Sequence, residues 1–218
     1  MDSLSIPRRE VEKRDPTTIR IVRISPHIFE AFLKCPTKCW LRSTGEAQLG
    51  STYAQWATTR SDAYCADGIK QLVAERSSGE HAVATTIENL RTTAWRLAID
   101  VQAQASNLET RIAAIERLPS AGRGKAAQII PIRFVCANKL GRHEKHLLAF
   151  DALALSETLG REVLVGKIIH GDDHATVKVK LATLVRDVQK LVEKTAALLA
   201  NPAPPDLMLN RHCAECEF

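Results

Sequence analysis

The sequence predicts an α/β domain, a mixed sheet flanked by helices, with cysteine-bearing segments at both ends of the chain. Three observations predict it. Short β-branched runs at 127–135, 163–170 and 175–181 read as strands, amphipathic or wholly apolar stretches at 26–34, 146–159 and 183–200 read as helices, and the two alternate along the chain. The 218 residues suffice for a domain of ordinary size, and 45% of them are apolar. With only three Trp, two Tyr and five Phe, the core has to come mainly from Ala, Leu, Ile and Val.

Residues 1–18 are charged and punctuated by proline, which predicts a flexible arm, and residues 19–218 are read as one domain. Ile19 to Ile24 predicts a short strand, after which Ser25 and Pro26 supply an N-cap and a first-turn proline. Phe29, Phe32 and Leu33 recur at helical spacing, so that helix delivers Cys35 at its end; Trp40 and Leu41 belong to a following buried segment. Residues 43–81 are only partly helical in pattern, with one helix expected over Gly68 to Glu75 and closed by Gly79.

The stretch 83–118 supports two periods. Val83, Ile87, Leu90, Ala94, Leu97 and Val101 approximate heptad spacing, whereas Trp95, Leu97, Ile99, Val101 and Ala103 alternate with polar or small residues as a half-buried strand does. Periodicity and Ala-rich propensity slightly favour the helix; the strand alternative places a turn at Ser106-Asn107 and a second strand from Leu108 to Leu118. A loop over 119–124 precedes the strand 127–135, whose Pro131 requires an edge, a bulge or an outward-facing nitrogen. Residues 146–159 are apolar on nearly every side, as in a helix buried against a sheet, with Gly160 as C-cap. Gly171-Asp172-Asp173 joins the last two strands, and the final helix ends before Asn201-Pro202.

No apolar run reaches the roughly 20 residues of a membrane span, and the first residues lack the apolar stretch of a secretory signal, so a cytoplasmic protein without membrane association is expected. The six cysteines fall at 35, 39, 65, 136, 213 and 216. In a reducing compartment the Cys213-x-x-Cys216 spacing reads as metal or iron–sulfur ligation before disulfide. Cys35 is the best third ligand and Cys39 the local candidate for a fourth, with His212 as an alternative nitrogen donor; zinc and an iron–sulfur centre both fit such a set. Cys65 and Cys136 read as lone buried cysteines.

The formal charge is +5, and between Leu118 and His143 lie Arg123, Lys125, Arg133, Lys139 and Arg142 with no acid among them. Mobile Lys and Arg of this kind suit a nucleic-acid backbone, and equally a solvated face. The GRGK stretch within the run has no Walker A spacing.

ISPHIFEAFLKCPTKCWLRS, the helix after Arg142 followed by GREVLVGKIIHG, and PPDLMLNRHCAECEF together resemble the RecB-like branch of the PD-(D/E)XK nucleases. Within that branch the chain looks like the CRISPR-associated iron–sulfur exonucleases and the RecB-family nucleases linked to superfamily 1 helicases. The resemblance spans most of the chain and implies a restriction-endonuclease-like sheet, which favours strands over 93–118. It implies DNA as partner, single-stranded or with single-stranded ends, a helicase or defence-system subunit beside it, and a role in DNA repair or antiviral defence. It also implies a [4Fe–4S] cluster, for which Cys35, Cys213 and Cys216 match three ligands and the fourth is expected a few residues past Phe218, as in a chain truncated at this site.

The catalytic positions do not carry over. Such nucleases hold Mg²⁺ or Mn²⁺ with an Asp on one strand and an acid-x-Lys on the next. The matching positions here are Ala113 and Pro131-Ile132-Arg133, and the helical Gln and Tyr of relatives fall at His146 and Phe150. The His that some relatives place after a glycine is also missing, since Gly68 is followed by Ile69. No catalytic residue is therefore assigned. A degenerate DNA-binding module is expected, with an active Mg²⁺-dependent exonuclease using a displaced set of Asp100, Glu116 and Lys139 as one alternative. A non-enzymatic, metal-stabilised adaptor is the other. Asp151, midway along an apolar helix, reads as a packed, hydrogen-bonded residue.

Overall fold

The structure is a computed structural model that describes residues 23–46, 52–76, 81–83, 95–119, 122, 127–213 and 216–218. The expected arm, most of the 19–24 strand, Gly79, Arg123 and Lys125 lie outside the described residues. Helix α1 (Pro26–Lys34) starts as its sequence dictates: the Ser25 hydroxyl accepts the Ile28 amide at 3.3 Å and Pro26 occupies the first turn. Cys35 ends α1 in extended conformation and serves as N-cap of α2 (Pro36–Thr44), which Gly45 closes in the left-handed region at φ 74°.

Helix α3 (Thr52–Ala74) begins well before the expected Gly68. Gly68 lies within it, buried, where a Cβ would stand 2.3 Å from the Phe134 ring. The glycine that reads as a helix start is therefore a close-approach point between α3 and the sheet.

The sheet has six strands in the order β1-β2-β3-β4-β5-β6: β1 (His81–Val83), β2 (Leu97–Ala105), β3 (Leu108–Leu118), β4 (Gln128–Val135), β5 (Val165–His170) and β6 (Ala175–Lys180). β1–β2 and β4–β5 pair parallel and the other neighbours antiparallel, so the sheet is mixed. The helix α4 (Arg142–Leu159) connects β4 to β5, and α5 (Ala182–Ala200) follows β6. Residues 95–118 thus form strands around the Ser106-Asn107 turn, and the helical heptad reading of this segment is not realised. Propensity loses here because cross-strand pairing buries both faces of the segment.

The expected single-face alternation of Leu97, Ile99, Val101 and Ala103 is broken. Leu97 and Ile99 pack on the α3 side, whereas Val101 and Ala103 join Ala98 on the α4 side. The switch falls at Asp100, which has φ 58°, a conformation that Asp tolerates better than most residues. Pro131 is likewise accommodated: it opposes Ile115 of β3, and β4 acquires its β5 neighbour only from Ile132 onward, so the proline sits where one side of β4 lacks a partner strand.

Two apolar layers sandwich the sheet. On one side α1, α4 and α5 cover Ile112, Ile115 and Ile168, with Phe29 stacked on Phe150 at 4.9 Å. Residues 146–155 of α4 are all buried, which accounts for their apolar character apart from His146 and Asp151. On the other side α3 lays Ile69, Leu72 and Val73 over Ile99, Ala114, Ile132 and Phe134.

Candidate functional site

Strand alternation decides what β3 and β4 present beneath α3. Ala114 opposes Ile132 in register, and both pack with Phe134 in the α3-side layer. Ala113 packs against the same layer, so the β3 face beneath α3 is alanine at both positions, and Ile132 and Phe134 occupy the β4 face. Arg133 points to the other side of the sheet. Its guanidinium donates to Asp151 Oδ2 from Nη2 at 2.7 Å and from Nε at 3.1 Å, while the Thr110 hydroxyl donates to Asp151 Oδ1 at 2.6 Å. Asp151 is 2% exposed and has both oxygens occupied. It is the packed, hydrogen-bonded residue its surroundings predict, and Phe150 beside it belongs to the core stack.

One acid remains on the α3 side. Glu116 lies opposite Ile130, and its carboxylate is bonded to Lys167 of β5 through one oxygen and to Arg76 Nη2 at 2.9 Å through the other. A single carboxylate clamped between two cations offers a divalent ion neither charge nor free oxygens. Asp100 is engaged by Arg111, and Lys139 sits on an exposed bend after β4. The displaced set of Asp100, Glu116 and Lys139 is thus dispersed into separate ion pairs and a solvated lysine. Among the described residues no three His, Cys, Asp or Glu side chains form a metal-binding group.

The basic run separates in space as well. Arg133 is neutralised by Asp151, whereas Lys139 and Arg142 remain exposed where the chain passes from β4 into α4. Arg142 lies at one wall of a groove of about 540 Å³ between the start of α4 and the middle of α5. His143 and His146 share that wall, Lys190 and Lys194 stand across from them on α5, and Arg211 closes it from the C-terminal segment. Sequence reasoning missed this grouping because its cations come from three distant segments. The available signal was the Lys190, Lys194 pair one helical turn apart.

The C-terminal segment returns to α1 and α2. Asn210 Nδ2 donates to the Lys34 carbonyl at 3.2 Å, Trp40 Nε1 to the Asn201 carbonyl at 3.1 Å, and Glu217 is bonded to both Lys38 and Arg42. Cys35 and the Cys213, Cys216 pair therefore lie on segments that touch. Among the described residues they are joined by no fourth His, Cys, Asp or Glu donor. Cys39 is fully buried and burial pushes its thiol up to about 12, which opposes the thiolate a ligand must be. Cys213 Sγ is exposed and accepts the Asn210 amide at 3.2 Å. Among the described residues Cys35, Cys213 and Cys216 are not gathered into a three-donor group, so the geometry adds no support to the expected zinc or [4Fe–4S] centre.

Fold and site together define a mixed α/β protein whose six-stranded sheet is flanked by helices and whose α3-side face carries an apolar layer beside the Glu116–Lys167–Arg76 ion cluster. No protein-family model matches the chain, and no curated protein matches it. Among solved structures, one described as "Crystal structure of SSO0001" is similar over 90% of this chain and 83% of its own, with 16% identity and a TM-score of 0.41. Similarity at that level assigns no activity.

Proposed function

We propose that this chain is a DNA-binding protein of the RecB-like nuclease fold in which the metal site has been lost. The observation that carries the reading is the apolar α3-side layer of Ala113, Ala114, Ile132 and Phe134 on β3 and β4, the strands on which such a nuclease would carry its carboxylates and lysine. Alanine and isoleucine bring no oxygen to a hard cation, and Glu116 is already satisfied by Lys167 and Arg76. The order β2-β3-β4-α4-β5-β6 supports the restriction-endonuclease-like assignment, and exposed Lys139 and Arg142 support a polyanionic partner. Such a protein holds DNA for a helicase or defence-system subunit rather than cutting it.

Titration with labelled single-stranded and duplex DNA at two salt concentrations, with Mg²⁺ or with EDTA, tests both halves of the proposal. Binding should weaken as salt rises, because each neutralised phosphate releases a counterion, and no product should form with Mg²⁺. Absence of binding at low salt leaves only the adaptor reading. Mg²⁺-dependent product would show that the carboxylates of an active exonuclease lie elsewhere in the chain.

A further inference from the structure

We propose that the groove between α4, α5 and the C-terminal segment is a phosphate-binding site that holds one strand by its phosphate oxygens. It lies on the α4 side of the sheet, away from the α3-side face where catalysis would be sought, so it is a second surface rather than a remnant of the first. The inference deepens the DNA-binding reading and rests on it for the source of the phosphate; the groove's affinity for phosphate stands on its own residues.

Four permanent cations, Arg142, Lys190, Lys194 and Arg211, meet there against one carboxylate, Asp187. Asp187 is 3.4 Å from Arg142 Nη2 and leaves the two lysines without an ion-pair partner among the described residues. Lys190 and Lys194 are exposed and lie one turn apart on the same face of α5. Glu144, the acid in the first turn of α4, is committed to its own helix: its Oε2 accepts the Gly141 amide at 2.8 Å. The first-turn amides of the 18-residue α4 add a positive partial charge to the same wall.

His146 explains why Arg142 is held there. The ring is 4% exposed, lines the groove, and accepts Arg142 Nε at its Nε2, 3.2 Å away. Since a guanidinium only donates, Nε2 is the bare nitrogen and the proton resides on Nδ1. Burial, helped by the Arg142 charge, lowers the His146 pKa, which keeps the ring neutral and able to accept. His146 is thus a positioning residue that fixes the guanidinium fork at the groove wall. Across the opening, His143 and His212 lie 5.9 Å apart, ring to ring, which seats the segment that carries Arg211. Two guanidinium forks and two ammonium groups around a cleft of this size suit the tetrahedral oxygens of phosphate.

The test uses pyrophosphate and a fluorescent single-stranded oligonucleotide as probes, with calorimetry, anisotropy and the histidine NMR resonances as readouts. The variant K190A/K194A removes exposed charge without touching the core, and K178A/K180A on β6 removes the same charge elsewhere. Pyrophosphate should shift the His143 and His146 resonances of the wild type, and K190A/K194A should weaken both probes about tenfold while K178A/K180A leaves them unchanged. Pyrophosphate binding without oligonucleotide binding would uphold the groove and overturn the DNA reading. Oligonucleotide binding that ignores K190A/K194A would uphold the DNA reading and overturn the groove. Binding of neither probe, or equal losses in both double variants, would also overturn the groove, the latter by showing a diffuse ion atmosphere.

Discussion

Glu217 and Asp151 are buried carboxylates, each held by cations of its own cluster. Glu217 is 5% exposed and faces Lys38, itself 7% exposed, so neither charge has water to fall back on. Burial alone would raise the Glu217 pKa, but hydrogen bonds from Lys38 and Arg42 win and hold it below the ordinary 4.5. A depressed folded pKa supplies stability above the unfolded value that is lost as pH falls through the folded one. Glu217→Gln should therefore destabilise the protein by about 3 kcal/mol at neutral pH, and the gap from wild type should close below pH 4.5. Urea unfolding across pH checks it; a pH-independent gap would assign the loss to packing instead. Asp151→Leu should likewise cost about 3 kcal/mol by stranding Arg133, and Asp151→Leu with Arg133→Met should recover most of it. Failure to recover would mean that Thr110 or the neighbouring core, not the ion pair, depends on the carboxylate.

Between elements, the tightest restraint is the contact of α3 with β4. A methyl group at Gly68 would overlap Phe134, so Gly68→Ala should destabilise by about 1–3 kcal/mol despite alanine's better helix propensity. Phe134→Leu vacates the space that this methyl group needs. In that background the same substitution should become neutral or mildly stabilising, and a double-mutant cycle by thermal unfolding gives the sign directly. Additive losses would show that α3 rides on the sheet through other contacts. The cycle also bears on function, because this interface covers the Ala114–Ile132 face.

Across the whole molecule, the C-terminal segment is tied to α1 and α2 by polar contacts. Removing residues 207–218 deletes Glu217 and leaves Lys38 and Arg42 without their carboxylate, and it also removes the Arg211 wall of the groove. Such a truncation should lower the Tm and weaken oligonucleotide binding together, whereas Glu217→Gln should affect chiefly stability. Iron and zinc analysis after anaerobic purification should find neither metal in stoichiometric amount, since among the described residues Cys35, Cys213 and Cys216 are not gathered into a metal-binding group. Stoichiometric metal would show that these cysteines recruit a donor beyond the described residues. No helix among the described residues is long and apolar enough to cross a membrane.

Where a residue's role is local, the sequence by itself determined it. Ser25-Pro26 starts α1, Gly160 ends α4 at φ 66°, and the largely apolar run 146–155 is buried throughout. These features depend on backbone conformation and side-chain period over a few residues, which neighbours in sequence fix. Tertiary structure alone decided the rest. The parity switch at Asp100, the side of the sheet on which Arg133 lies, and the capture of Glu116 by Lys167 and Arg76 depend on strands and helices distant in sequence. The basic run between Leu118 and His143 contains no acid, yet Asp151 reaches Arg133 across the sheet–helix packing. Conversely, the cations of the groove are scattered over three segments and became one surface only when α4, α5 and the C-terminal segment packed together. Charge acts through space at a few ångströms, and it is the packing of the elements, not the order of residues, that sets those distances.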